Sequence, residues 1–186
     1  MFFNQHPQLS GKHAFLSPSS SHWLRYNDQK LEARFFAAQS ARRGSDLHAL
    51  AHEAIRLGIK LDKRSNPALA TYVADAIGYK MNCEQTLYYS DNCFGTADTI
   101  CFRRSKLRIH DLKTGITKTS VEQLEVYAGL FCLEYGISPY DIEIELRIYQ
   151  RDDVHVFDPI PEAIENIMEI IVAFDRQIER IKEDRL

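Results

Sequence analysis

One stretch of this 186-residue chain, Gly95 to Gly115, constrains the fold more than any other. Two arms rich in β-branched and aromatic residues flank the polar, basic centre Arg103–Lys106, a pattern that predicts a β-hairpin. A turn centred in the middle of that run would place Asp98 opposite Asp111 on one sheet face, with Cβ atoms roughly 5 Å apart. Carboxylates this close repel each other unless they share a proton or bind a cation, which for oxygen ligands is Mg²⁺ or Mn²⁺.

Lys113 adds an ammonium group to this pair. It follows Asp111 by two residues and would therefore project from the same face of the strand. Two carboxylates beside an ammonium can orient and deprotonate a water molecule and offset charge on a phosphate. For the D-x-K pattern alone, the alternative is a salt-bridged sheet face in contact with water.

The order of the predicted elements indicates an α/β fold with a mixed central β-sheet flanked by helices and a helix-rich N-terminal half. We expect a single domain over residues 1–186. Its predicted segments are an irregular lead-in (1–16), a helical segment (17–80), a catalytic sheet (81–158) with a helix at 120–135, and a closing helix (160–184). Within the helical segment we expect the helices Leu31–Ala41 and Leu47–Leu57, separated by a break at Arg42–Ser45.

Composition limits the partners and the compartment. The net charge of −3 and pI near 6.2 carry no overall basic signature, so a nucleic acid would have to be held by a local patch or through metal ions. Neither a signal-peptide pattern nor a run of the roughly 20 apolar residues needed for a membrane span occurs. Four scattered cysteines are typical of buried, reduced thiols. We therefore expect a cytoplasmic protein without a membrane partner.

Three motifs in chain order carry a family resemblance: Gly95-Thr96-Ala97-Asp98, Asp111-Leu112-Lys113, and Gln123-x-x-x-Tyr127. Together they resemble the G-x-x-D, (D/E)-x-K and Q-x-x-x-Y signature of the RecB-like branch of the PD-(D/E)XK nuclease superfamily. That family adds an upstream histidine on a helix after a small-residue cap. The segment Gly44-Ser45-Asp46-Leu47-His48 fits that description, and the resemblance covers about Ser17 to Tyr149.

The resemblance implies a restriction-endonuclease-like core and hydrolysis of DNA phosphodiester bonds with Mg²⁺ or Mn²⁺. The implied metal ligands are His48, Asp98, Asp111 and the Leu112 backbone carbonyl. Lys113 would orient or activate the attacking water and stabilise the pentacovalent phosphate. Gln123 and Tyr127, four residues apart on one helix face, would support the site or contact the DNA backbone.

Other residues compete for roles at this site. His52 lies one helical turn after His48, but the sequence lacks the H-E-x-x-H zinc pattern, and a hydrogen-bonded surface histidine is the alternative for both residues. Glu84 is either near the site or exposed on its strand. We also expect basic side chains beside the site to contact the DNA backbone: Arg42, Arg43, Arg103, Arg104 and Lys106.

The chain departs from some relatives of this branch. Tyr26 occupies the early region and no cysteine follows Cys132, so we expect no four-cysteine iron–sulfur cluster. Without a P-loop, any helicase or recombination partner would be a separate chain. The resemblance implies an exonuclease or DNA-end processor of recombination, repair or phage DNA metabolism, in a bacterial cell and of phage or mobile-element origin. A catalytically inactive module that binds DNA or a host protein is the alternative, and the oligomeric state stays open.

Overall fold

The computed structural model describes residues 14–115 and 120–184, without the side chains of residues 19–21. After a 3₁₀ helix (Pro18–Arg25), the helices are α1 (Asp28–Leu57), α2 (Pro67–Tyr79), α3 (Glu122–Tyr135) and α4 (Pro161–Glu183). The strands are β1 (Asn82–Ser90), β2 (Cys93–Arg103), β3 (Lys106–Lys113), β4 (Glu143–Gln150) and β5 (Asp153–Phe157). They form one open, mixed sheet in the order β1-β2-β3-β4-β5, flanked by helices. This confirms the predicted α/β class and sheet type.

Helix α1 continues through residues 42–45, where the sequence predicted a break. That prediction is wrong, because one glycine inside a helix costs only about 1 kcal/mol relative to alanine. Ser45 Oγ also donates a hydrogen bond back to the Ala41 carbonyl (3.3 Å) and does not cap a new helix. The chain divides into two compact units at the Ser45–Asp46 bond, and the sheet lies wholly in the second unit. A single domain over 1–186 stays a prediction.

The hairpin formed by β2 and β3 has the predicted register. Its two turn residues, Arg104 and Ser105, have φ of 51° and 56°, the backbone of a two-residue type I′ turn. Antiparallel pairing runs from Arg103 with Lys106 to Thr99 with His110. The next residues along the two strands are Asp98 and Asp111, so the predicted pair lies where the backbone ladder ends.

The two faces of β3 carry different helices. Leu107 and Ile109 pack in one buried cluster with Leu130 of α3, whereas Leu112 packs in another with Tyr72 of α2. Because successive strand residues alternate between faces, Asp111 and Lys113 project on the α3 side with Leu107 and Ile109. Strand β4 pairs in parallel with β3 along its whole length and extends the same platform.

A partly buried polar network joins α2 to the other face of the sheet. Arg147 of β4 donates to Asp75 (2.9 Å) and to the Tyr79 hydroxyl (3.1 Å). Tyr149 donates its hydroxyl proton to the same Asp75 carboxylate (2.7 Å) and lies 3.2 Å from His110 Nδ1. Burial lowers the pKa of His110 to about 3, so this histidine is neutral at physiological pH. These contacts fix α2 on β3 and β4.

Among the residues that the structure describes, none of the helices has the length and apolar character that crossing a membrane requires.

Candidate active site at the end of the β2–β3 hairpin

Asp98 lies at the point where β2 and β3 separate. Its Oδ2 accepts a hydrogen bond from the backbone N–H of Leu112 (3.2 Å). A side-chain hydrogen bond therefore joins the two strands where their backbone hydrogen bonds end. In an antiparallel pair the N–H and C=O of one residue face the same neighbour. The Leu112 carbonyl is therefore directed toward the Asp98 side. His48 of α1 places Nδ1 3.3 Å from the same carboxylate oxygen.

Asp111 and Lys113 form an ion pair on the α3 side of the sheet. Lys113 Nζ is 3.0 Å from Asp111 Oδ1 and also donates to Gln123 Oε1 (2.9 Å). Only 4% of the Asp111 surface is exposed, and its second oxygen, Oδ2, is buried without a hydrogen-bond partner among the residues that the structure describes. An unpaired carboxylate oxygen in the interior is costly, so this oxygen is available for a cation or a proton.

Helix α3 fixes the position of the Lys113 ammonium. Gln123 accepts from Lys113 and directs Nε2 toward the Tyr127 hydroxyl (3.5 Å). That hydroxyl in turn donates to the Thr96 carbonyl of β2 (2.7 Å). The spacing of four residues places Gln123 and Tyr127 on one helix face, as the sequence predicted. Gly95 allows this approach, because a Cβ there would lie 2.9 Å from Tyr127 Cε1.

The environment of Asp111 opposes its negative charge. Burial raises the pKa of Asp111 above its ordinary value, and the negative charge of Asp98 raises it further. Lys113 and His48 lower the pKa but do not reverse the shift. Two carboxylates that raise the cost of each other's charge form a site that a cation would stabilise.

The donor set fits a hard divalent cation, but these side chains are held in pairs. Within the described ranges, no group of three or more His, Cys, Asp and Glu side chains is arranged to hold a metal ion. His48 is paired with Asp98, and Asp111 with Lys113. The buried unpaired oxygen of Asp111 and the oxygen-rich ligands suit Mg²⁺ or Mn²⁺. Binding a cation here would replace these internal contacts.

A second histidine–carboxylate pair adjoins the site, and sequence reasoning gave it little weight. His52 Nδ1 lies 2.9 Å from Glu84 Oε1, and the His52 ring is 6.4 Å from that of His48 between centroids. Glu84 has φ of 50°, a left-handed conformation that is rare inside a strand. No local pattern predicts this pair, because it depends on how α1 packs against the edge strand β1.

The basic residues of the hairpin turn do not lie beside this site. Lys106 begins β3 and Asp111 nears its end, so at about 3.4 Å per residue the turn is roughly 17 Å away along the strand. The expectation that Arg103, Arg104 and Lys106 flank the carboxylates is therefore wrong. Arg42 and Arg43 are exposed residues of α1 in the first unit of the chain.

Comparisons with known proteins assign no family to this arrangement. No protein-family model matches the chain, and no curated protein matches its sequence. The motifs and the site geometry of the chain itself are therefore the basis of the function proposed below.

Proposed function

We propose that this protein is a metal-dependent DNA nuclease of the RecB-like PD-(D/E)XK type, with a restriction-endonuclease-like core. One observation carries the proposal: the buried Asp111, with an unpaired oxygen, stands beside Asp98 and within 3.0 Å of the Lys113 ammonium. A binding module has no use for two adjacent carboxylates, which repel each other and repel DNA. Metal-dependent phosphodiester hydrolysis uses all three groups, because the carboxylates can hold the cation and the ammonium can offset charge on the phosphate.

Asp98 and Asp111 would hold Mg²⁺ or Mn²⁺, with the Leu112 carbonyl and His48 as further ligands. When bound, such a cation supplies Lewis-acid polarisation of a phosphoryl oxygen. Asp98 is already directed toward this role, because the Leu112 N–H and His48 both restrain its Oδ2. His48 would orient this carboxylate even without becoming a ligand.

Lys113 would be the side chain that contacts the attacking water and the phosphate directly. Its ammonium donates hydrogen bonds to the attacking water and to a phosphoryl oxygen, orienting the first and offsetting charge on the second. The water oxygen forms a bond to phosphorus while the ester P–O bond breaks. The attacking water releases one proton to bulk water, and the leaving alkoxide takes up one proton from bulk water, so the protons balance. Gln123 and Tyr127 act as positioning residues, because they reach the reacting atoms only through Lys113.

The test is digestion of end-labelled linear DNA and closed circular DNA with Mg²⁺, Mn²⁺ or EDTA. We expect metal-dependent loss of linear DNA, reduced at least about 10²-fold by Lys113→Ala. The matched control, Lys182→Ala, removes a lysine of α4 whose partners are Glu179 and Asn92, and it should leave the rate unchanged. Digestion of the circular substrate would identify an endonuclease, whereas its survival would identify an enzyme that needs an end.

Intact DNA under every condition would reject the nuclease. In that event the alternative is an inactive module of the same fold, which predicts that the protein binds DNA or a host protein without cleaving it. Binding of Mn²⁺ separates the two, because an inactive module has no reason to keep a working cation site.

A further inference from the structure

A second, strongly basic site lies at the opposite end of the hairpin from the carboxylates. There, the end of α2 and the β2–β3 turn line an open cavity of about 430 Å³. Five cationic side chains line it: Lys80, Arg103, Arg104, Lys106 and Arg108. Glu143 is the one carboxylate among the residues described as lining this cavity. In a chain whose net charge is −3, this concentration of positive charge is local and is not a property of the whole surface.

Most of this positive charge is not neutralised by neighbours. Lys106 pairs with Glu143 (3.5 Å) and with Glu145 (3.0 Å), and Arg108 also pairs with Glu145 (3.2 Å). Across the described ranges, no carboxylate lies within ion-pair distance of three exposed members of the set. These are Lys80, Arg103 and Arg104. They are free to pair with an anion from outside.

Two of these cationic residues also have a backbone conformation that disfavours long side chains. Lys80 ends α2 with φ of 54°, and Arg104 occupies the tight turn with φ of 51°. Glycine and asparagine are preferred in this left-handed conformation, because a longer side chain is strained there by roughly 1 kcal/mol. The chain nevertheless carries a cationic side chain at both positions, and both face one cavity.

Arg108 lines the cavity with a guanidinium group that is held in place by its neighbours. Its guanidinium lies 4.5 Å from the centroid of the Tyr79 ring and is hydrogen-bonded to Glu145 through Nε. A stacked and paired arginine loses little additional freedom when it contacts a ligand. The cavity therefore combines one fixed guanidinium with three exposed cations, Lys80, Arg103 and Arg104.

We infer that this cavity is a phosphate-binding site, separate from the carboxylate site, and that its phosphate comes from the backbone of DNA. Guanidinium groups match phosphate oxygens in bidentate geometry, and arginine supplies three of the five cations. The choice of DNA as the source rests on the proposed nuclease function. Free pyrophosphate or a nucleotide carries the same chemistry and is the other source to be tested.

The experiment compares two double variants with equal loss of charge. Arg103→Gln with Arg104→Gln removes the turn cations, and the matched control is Arg176→Gln with Arg180→Gln on exposed positions of α4. Affinity for a fluorescein-labelled duplex of about two helical turns is measured by fluorescence anisotropy in EDTA, at salt concentrations from about 0.05 to about 0.2 M. EDTA prevents hydrolysis, so binding is measured independently of catalysis.

The turn variant should bind DNA about tenfold more weakly. Its slope of log K against log salt should be smaller by about 1.8, at about 0.9 for each lost phosphate contact. The control should match the wild type in affinity, slope and unfolding temperature. Lys80→Gln, an independent member of the cavity, should lose affinity in the same direction.

The remaining outcomes are equally decisive. If calorimetry shows pyrophosphate binding that only the cavity variants lose, while DNA affinity is unchanged, the site is a phosphate site with a free ligand as its source. If the cavity variants equal the control with both probes, the inference is overturned, whether or not the wild type digests DNA. Cavity-dependent DNA binding by a protein that digests nothing would support the inference and reject the nuclease.

Discussion

At the scale of single residues, Asp111 is a charge that its surroundings oppose. It is almost fully buried and faces Asp98, and within the described part of the chain its Oδ2 has no hydrogen-bond partner. Burial and the neighbouring carboxylate raise its pKa, and the ion pair with Lys113 only partly compensates. Such a residue lowers stability and is typical of a site where function takes precedence over stability.

We therefore expect Asp111→Asn to stabilise the protein at neutral pH in EDTA. With Mg²⁺ or Mn²⁺ present, the same substitution should abolish DNA hydrolysis. An acid whose pKa is raised by folding binds more protons in the native state, so its contribution to stability is lost as pH rises from the unfolded-state value through the folded one. An asparagine at position 111 does not ionise, so the variant avoids this loss of stability as pH rises. The gain should be about 1 kcal/mol at pH 7, a few degrees in unfolding temperature, and should shrink toward pH 4.

Thermal denaturation at both pH values measures this difference. Asp158→Asn, at an exposed position, is the control and should change the unfolding temperature little at either pH. A destabilised Asp111→Asn protein at pH 7 would mean that the site favours the ionised carboxylate even without a cation, contrary to the electrostatics described above.

At the scale of elements, the contact between β2 and α3 keeps the Lys113 ammonium in place. The Tyr127 ring lies against Gly95, and its hydroxyl reaches the Thr96 carbonyl on the same strand. A methyl group at position 95 would lie 2.9 Å from the ring carbon, which is closer than real contacts allow. The ring would have to move, and the hydrogen bonds that lead from Thr96 to Lys113 would be disturbed.

Gly95→Ala should therefore cost about 1–3 kcal/mol of unfolding free energy and reduce the rate of hydrolysis at saturating DNA. Urea denaturation and single-turnover kinetics measure the two effects. Gly78→Ala in α2 is the matched control for the stability measurement: nothing lies within 4 Å of its added Cβ, and replacing a helical glycine should stabilise the protein by up to about 1 kcal/mol. Equal effects of the two substitutions would show that Tyr127 is not held against β2.

Local patterns predicted the elements that have local causes. The β2–β3 register follows from a two-residue turn, and α3 ends at Tyr135, the end of the predicted helix 120–135, where the next residue, Gly136, has φ of 61°. The break at Arg42–Ser45 was predicted wrongly because continuing a helix past one glycine costs little. The contact of His48 with Asp98 was suggested only by family resemblance, since its geometry depends on packing between distant elements. The prediction that Arg103, Arg104 and Lys106 lie beside the carboxylates was wrong, because the length of β3 separates the hairpin turn from Asp111 by many ångströms.

At the scale of the whole molecule, the carboxylate site exists only in the folded chain. Its residues come from four elements: His48 from α1, Asp98 from β2, Asp111 and Lys113 from β3, and Gln123 from α3. An unfolded chain would not bring them together. A ligand that binds only the folded chain at this site must therefore stabilise the fold, and the stabilisation grows with the logarithm of the ligand concentration relative to its dissociation constant.

Mn²⁺ at about 100 times its dissociation constant should therefore raise the unfolding free energy by about 2.7 kcal/mol, roughly 5–10 °C in unfolding temperature for a chain of this size. Asp98→Asn should lose this stabilisation, because it removes the carboxylate that His48 and the Leu112 N–H restrain. Asp175→Asn is the control, since that carboxylate accepts from Ser90 and Asn92 at the β1–β2 turn and takes no part in the site. Stabilisation of all three proteins alike would place the cation elsewhere, and stabilisation of none would remove the metal from the proposed mechanism.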